Sequence, residues 1–226
     1  MLSYDWNFRR LEIYAQAFAD GVGATVLLSL STISFALLVG ILWGIGLARS
    51  SAFRLFTLPI VDILKSLPPL VLVLFGYFFL SPGVVGFSAP AFLTFTVFVG
   101  MNVAAFIADL VRSAITNVPR EYVALGTAFA FSEKQTLSKI VGPLAVRELL
   151  PPIAYLGIET VKLTSLASII NTREMVYVAQ GVIVDTSRSF EVWLVVSAIY
   201  IAMIWPSSVV VRGIEARLKQ RAGLVR

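Results

Sequence analysis

The chain is predicted to be an all-α membrane protein: five transmembrane helices, a short amphipathic helix ahead of them, and a pair of short cytoplasmic helices between the third and fourth. Three observations carry that prediction. Of 226 residues, 58% are hydrophobic and 14% charged, against roughly 25% charged in soluble domains, and the mean hydropathy is +0.88. The apolar residues gather in runs that reach the about 20 residues a helix needs to cross a hydrocarbon core. The basic residues fall in alternate connections between those runs, as the positive-inside rule requires. A single membrane domain over 1–226 is expected.

Residues 6–20, from Trp6 to Asp20, can form the amphipathic helix, lying in the outer interface. Acidic residues at Asp5, Glu12 and Asp20, with no basic start leading into an apolar core, do not fit a cleaved signal peptide, so this segment is expected to be retained. Helix one covers 20–48, an uncharged stretch carrying Gly and Ser suited to close packing. Arg49 and Arg54 interrupt before helix two, 56–80, which holds Asp62, Lys65 and the pair Pro68-Pro69 and is therefore expected to be broken in its first half. An uncharged turn over 81–88 leads to helix three, 89–115, with Asp109 and Arg112 near its end.

Over 118–147 the charges Arg120, Glu121, Glu133, Lys134, Lys139 and Arg147 come too often for a span. This segment is expected at the cytoplasmic surface as two short helices, one from Arg120 to Phe131, the second opened by Ser132 as N-cap and closed before Pro143. Helix four, 149–170, carries Glu159 and Lys162, and helix five covers 190–211 through Trp193, Tyr200 and Trp205, read as interface anchors and packing residues. The tail holds Arg212, Arg217, Lys219, Arg221 and Arg226 against Glu215, so it and the 49–54 connection belong to the cytoplasm. Glu174, Asp185 and Glu191 against Arg173 and Arg188 put the 171–191 connection outside. Five spans, with the N-terminus outside and the C-terminus inside, satisfy every connection.

Composition also excludes chemistry. With no cysteine and no histidine, thiol nucleophiles, thiolate or imidazole metal sites and imidazole bases are absent together. No phosphate-binding loop of the form G-x-x-x-x-G-K-[ST] occurs, so any energy from ATP must enter through another subunit. The net charge of +5 reflects topology rather than nucleic-acid binding. Three pairs sit three residues apart on one helix face: Asp62 with Lys65, Asp109 with Arg112, and Glu159 with Lys162. A lone charge in lipid costs about 2.5–3.5 kcal/mol or more, so each pair either locks helices or faces a cavity. Asp109 and Arg112, near a cytoplasmic end, read as an interfacial structural pair; the other two are open between locking helices together and lining a cavity.

The 118–147 segment resembles the integral membrane subunits of ABC importers, in the five-helix polar amino acid uptake family of histidine, glutamine and opine permeases. There a stretch of the form VPRGQxEAAxALGxSxxQTFxxVxLPQALR forms the coupling helices. Val118-Pro119-Arg120, Ser132, Gln135-Thr136, Pro143 and Ala145-Val146-Arg147 fall into register without a gap. The family's Glu-Ala-Ala lands on Ala124-Leu125-Gly126 and its glycine on Ala130, so the motif is degenerate at its hallmarks, with Glu121 one turn earlier as a substitute carboxylate. Similar matches follow in order: Gly23 to Ser29 at the start of helix one, Asp62 to Val71 against E-x-x-R-G-T-P-L-L-V, Ala105 to Ser113 against A-Y-x-A-E-x-x-R-G, and Lys162 to Ser168 against K-D-T-S-L-A-S.

The resemblance implies a permease subunit in the bacterial cytoplasmic (inner) membrane, not an enzyme, that carries an amino acid or similar small polar solute such as an opine or ectoine. It implies an ABC ATPase dimer holding ATP and magnesium, a second permease subunit, identical or related, and a periplasmic or lipid-anchored solute-binding protein. No cofactor is expected in this chain and no nucleic-acid partner. It implies ATPase docking by Arg120, Glu121, Ala124, Leu125, Gly126, Ala130 and Ser132, and a path lined by Asp62, Lys65, Pro68, Glu159, Lys162, Thr164 and Ser165. The competing reading is a self-contained ion-coupled carrier or channel, which usually shows repeated halves not detected here. A membrane enzyme has only scattered carboxylates to work with.

Overall fold

In lipid the hydrophobic effect does not choose which helices pair, so close backbone approach and buried polar bonds decide the architecture. The structure, a computed structural model, describes residues 5–86 and 88–221. Residues 1–4 of the leader, Phe87 in the uncharged turn and Arg226 in the basic tail lie outside the described residues.

A 3₁₀ turn over Arg9–Tyr14 runs without a break into α1, Ala15–Arg49. The expected amphipathic helix is thus shorter, and its second half belongs to α1. Leu11 and Phe18 explain this, since both are buried against Met175, Ala179 and Val192 of later helices rather than spread on a membrane surface. After α1 come α2, Ser51–Ser66, and α3, Pro69–Phe79, which meet at 106°. The expected break is therefore an elbow: Leu67 and Pro68 are both extended, because a residue ahead of proline is pushed out of the helical region. A single turn, α4 over Pro82–Val85, precedes α5, Ala91–Thr116.

The hydrophilic segment forms α6, Arg120–Ala128, and α7, Glu133–Thr136. Contrary to expectation, the second helix does not close before Pro143. A π-turn over Leu137–Val141 carries it into α8, Gly142–Leu163, so the fourth span begins ahead of residue 149. The wider turn moves the carbonyl row that the proline ring would strike, so the helix passes through Pro143 without closing. A 3₁₀ segment, Thr164–Ile170, then α9, Met175–Thr186, and α10, Ser189–Arg221, complete the chain.

By length and hydropathy, Arg9–Arg49, Ala91–Thr116, Glu133–Ile170 and Ser189–Leu218 can each cross a membrane, and the α2–α3 pair makes a fifth if the elbow counts as one span. The central packing is α1 against α5. A Cβ on Gly40 would come within 2.7 Å of the Ala104 carbonyl, and one on Gly44 within 2.6 Å of that of Ala108. Small residues four apart on both helices thus let the backbones touch. Around this seam Leu28, Ala36, Phe95, Val99 and Ile107 are buried. The buried hydroxyls of Ser29 and Thr32 donate to the carbonyls of Thr25 and Leu28, at 2.7 and 2.8 Å.

Candidate functional site

Three regions hold the residues singled out by the sequence. The first is the α6–α7 hairpin. Arg120, Glu121 and Ala124 are exposed, and so is Leu125, which with Tyr122 on α6 and Phe129 just beyond its end makes an exposed apolar stripe. Helix α6 ends earlier than Phe131 because the chain turns back there: the Phe131 N–H donates to the Gly126 carbonyl at 2.9 Å, and Ala130 takes the left-handed φ of 52°. That is the helix-ending motif in which glycine is preferred, which explains physically why a glycine suits this position and why Ala130 is strained. Ser132 caps α7 as expected, in a full capping box with Gln135. Gly126 is buried against Thr136, whose Oγ1 lies 2.4 Å from where a Cβ would sit, so the two helices close on each other there.

The second region is the elbow. The two charge pairs read separately from the sequence are joined into one chain. Lys65 Nζ lies 3.3 Å from Asp62 and donates at 3.0 Å to Asp109, which also accepts from Arg112 at 2.9 Å. The chain ties the last turn of α2 to α5. Pro68 stands exposed at the N-cap of α3, and Lys65 lines none of the grooves described here.

The third region is the open face of α8 and α10. Glu159 accepts from Lys162, and both are about half exposed. The pair divides two grooves. One, of about 500 Å³, is lined by Lys162, Ser165, Tyr200, Trp205 and Arg212. The other, of about 560 Å³, has Glu159, Asp109 and Glu215 in its wall. Opposite charges therefore face adjoining spaces. Thr164 does not join this lining: it is fully buried, its hydroxyl donating to the Val161 carbonyl at 2.8 Å. Ser165 does line the groove, and donates to the Lys162 carbonyl at 2.8 Å.

The profile of binding-protein-dependent transport system inner membrane components matches residues 36–223. The chain belongs to that family. It is similar to the glutamine transport system permease protein GlnP of Escherichia coli, 27% identical over 203 residues, which are 88% of this chain and 92% of that protein. It also resembles the probable amino-acid ABC transporter permease protein YckA of Bacillus subtilis, 31% identical over 160 residues, 69% of this chain and 68% of that one. Its fold matches the crystal structure of an amino acid ABC transporter with histidines, with a TM-score of 0.86 and 21% identity over 95% of this chain and 100% of the other. The inward-facing MetNI methionine ABC transporter matches at a TM-score of 0.71 and 18% identity, over 90% and 98%.

In this inner membrane component the structure also reveals residues that sequence reasoning missed. The Asn102 amide, buried on α5, donates to the Leu64 carbonyl at 2.6 Å. In an unbroken helix that carbonyl would accept from residue 68, but Pro68 has no N–H. Glu174 is fully buried and caps α9, accepting from the N–H groups of Val176 and Tyr177 at 3.0 and 2.9 Å, with the Tyr200 hydroxyl at 3.4 Å. Tyr200 thus reaches from the groove it lines to Glu174, and of the expected anchoring and packing roles it fills the packing one. Glu191 is buried too, accepting from the Asn7 N–H at 3.1 Å. Two of the three acids counted toward an outer surface charge thus lie inside the packing. The residue type gave no signal for Glu174, since N-caps favour Ser, Thr, Asp and Asn; only its negative charge just ahead of an apolar run hinted at a helix start. Nothing local marked Asn102.

Proposed function

We propose that this chain is the permease subunit of an ATP-driven importer for an amino acid or a similarly small polar solute, an opine or ectoine included. The observation that carries the reading is similarity to permeases named for glutamine transport over 88% of the chain, and to one named for amino-acid transport over 69% of it. A second permease, a copy or a relative, closes the open α8–α10 face, and the path runs past Glu159, Lys162 and Ser165. The exposed charge pair supports this: half-exposed ions at membrane depth need a polar space or a partner, and a zwitterion offers a carboxylate to Lys162 and an ammonium to Glu159.

In this reading an ATPase dimer, carrying ATP and magnesium, takes up the α6–α7 hairpin through Arg120, Glu121, Ala124, Leu125 and the surrounding turn at Gly126, Ala130 and Ser132. A solute-binding protein, periplasmic or lipid-anchored, delivers from the outside. The N-terminus lies outside and the C-terminus in the cytoplasm of the bacterial inner membrane. Closure of the ATPases on ATP moves the hairpin and turns the path outward; hydrolysis resets it. The test is a tagged pull-down from mildly solubilised native membranes with mass spectrometry of stoichiometric partners. An ATPase subunit bearing a phosphate-binding loop is expected; repeated recovery of the chain alone would replace this reading with a self-contained carrier or channel.

A further inference from the structure

The elbow between α2 and α3 is gripped by α5 at two points. One is the Asn102 amide on the Leu64 carbonyl, at 2.6 Å. The other is the chain of charges running from Asp62 through Lys65 and Asp109 to Arg112, with links of 3.3, 3.0 and 2.9 Å. Beneath these, Val61 of α2 is fully buried against Ala105 and Ala108 of α5. Helix α5 then ends at Thr116, and residues 117–119 alone separate it from α6. The hairpin thus joins α5, at the end that bears Arg112 and Asp109, on one side and runs into α8 on the other, so a displacement reaches both. On the far side of the charges lies Lys65, one residue inside the end of α2 and next to the extended pair Leu67 and Pro68.

The chain of charges is not saturated. Arg112 Nε is buried without a partner among the described residues, and Asp62, 58% exposed, meets the chain only through Lys65. Lys65 holds two carboxylates at once, one on its own helix and one on α5. It can therefore shift its weight from Asp109 to Asp62 while remaining paired throughout, which matters where an unpaired ion is costly. An element with two paired arrangements and no unpaired intermediate is what a transmission step between packed helices requires.

We propose that the Asp62, Lys65, Asp109 and Arg112 chain transmits movement of the α6–α7 hairpin to the α2–α3 elbow, with Lys65 and Asp109 as its positioning residues. This rests on the reading above that the hairpin takes up an ATPase. When the hairpin drives the end of α5, Asp109 moves relative to α2, Lys65 exchanges partners, and the angle at the elbow changes. The arm beyond the break, α3, moves with it, and through its packing on the Thr164–Ile170 segment, which carries Ser165, the movement reaches the solute path.

The experiment uses the intact transporter in lipid nanodiscs. The chain has no cysteine, so cysteines introduced for Leu55 on α2 and Phe78 on α3, 72% and 64% exposed, carry a pair of nitroxides that report the elbow; cysteines of the partners are replaced. Pulsed electron resonance measures their distance without nucleotide and after trapping with ATP and vanadate. In the otherwise unchanged permease, two distances are expected. In Lys65→Met and in Lys65→Gln the distance should be the same in both states while ATP hydrolysis continues, and Lys65→Arg should restore the change. A change of distance that persists in both neutral variants overturns the proposal, as does an elbow that stays still in the unmodified permease. A complex that hydrolyses no ATP before any substitution counts against the importer reading itself.

Discussion

Replacing Asn102 by leucine should unfasten the elbow. The side chain is 3% exposed and its amide reaches the Leu64 carbonyl at 2.6 Å. Leucine fills a similar volume but leaves that carbonyl without a protein donor, since Pro68 lacks an N–H. An unsatisfied buried carbonyl costs about 1–3 kcal/mol in soluble proteins, whereas hydrogen bonds between membrane helices average about 0.6 and reach about 1.7 kcal/mol. The kink removes the usual local alternative, so the upper part of the membrane range applies, about 1–2 kcal/mol. For a chain of this size that is roughly 2–8 °C in Tm. Thermal unfolding in one detergent, followed by circular dichroism, measures it. Thr96→Val is the matched control: its hydroxyl lies buried on the same helix with no partner among the described residues, so its loss should be neutral or stabilising. An Asn102→Leu protein as stable as the parent, or a Thr96→Val protein equally destabilised, would refute the assignment of Asn102 as the donor that replaces residue 68.

Ala130→Gly should stabilise the hairpin by about 1 kcal/mol, because Ala130 is held at a φ of 52° where glycine carries no Cβ penalty; slower proteolysis within 120–139 is the readout. Gly44→Leu should lose a large part of the folded population in detergent, since even a Cβ would sit 2.6 Å from the Ala108 carbonyl, while leucine at the open position Gly23 should cost little; equal yields from both variants would contradict the α1–α5 seam. Glu121→Ala should lower solute-stimulated ATP hydrolysis in the assembled transporter without affecting membrane insertion. Unchanged stimulation removes Glu121 as the substitute carboxylate.

Much of the architecture was legible because it depends on properties counted residue by residue or over a single helical turn. The apolar runs marked the spans, Pro68-Pro69 marked the elbow, and Ser132 followed by Gln135 marked a capped helix. The spacing of Asp62 from Lys65, Asp109 from Arg112 and Glu159 from Lys162 foretold contacts that exist. Boundaries slipped where a longer-range effect intervened: the leader was drawn into α1 by burial of Leu11 and Phe18, and Pro143 was carried into α8 by a π-turn.

The sequence by itself determined that the chain is apolar enough for lipid, which stretches are long enough to cross it, where one of them breaks and which charges must find partners. Each of these follows from the transfer energy of short segments and the stereochemistry of proline. Tertiary structure alone decided that Lys65 reaches Asp109 across 44 residues of chain, that Asn102 serves Leu64 across 38, and that Glu174 is sealed beneath Tyr200. In a membrane every apolar helix face is equally content against lipid, so hydrophobic patterning cannot say which helices meet. That choice is made by the fit of Gly40 and Gly44 against Ala104 and Ala108 and by polar groups finding one another, and those contacts come into being when the helices pack.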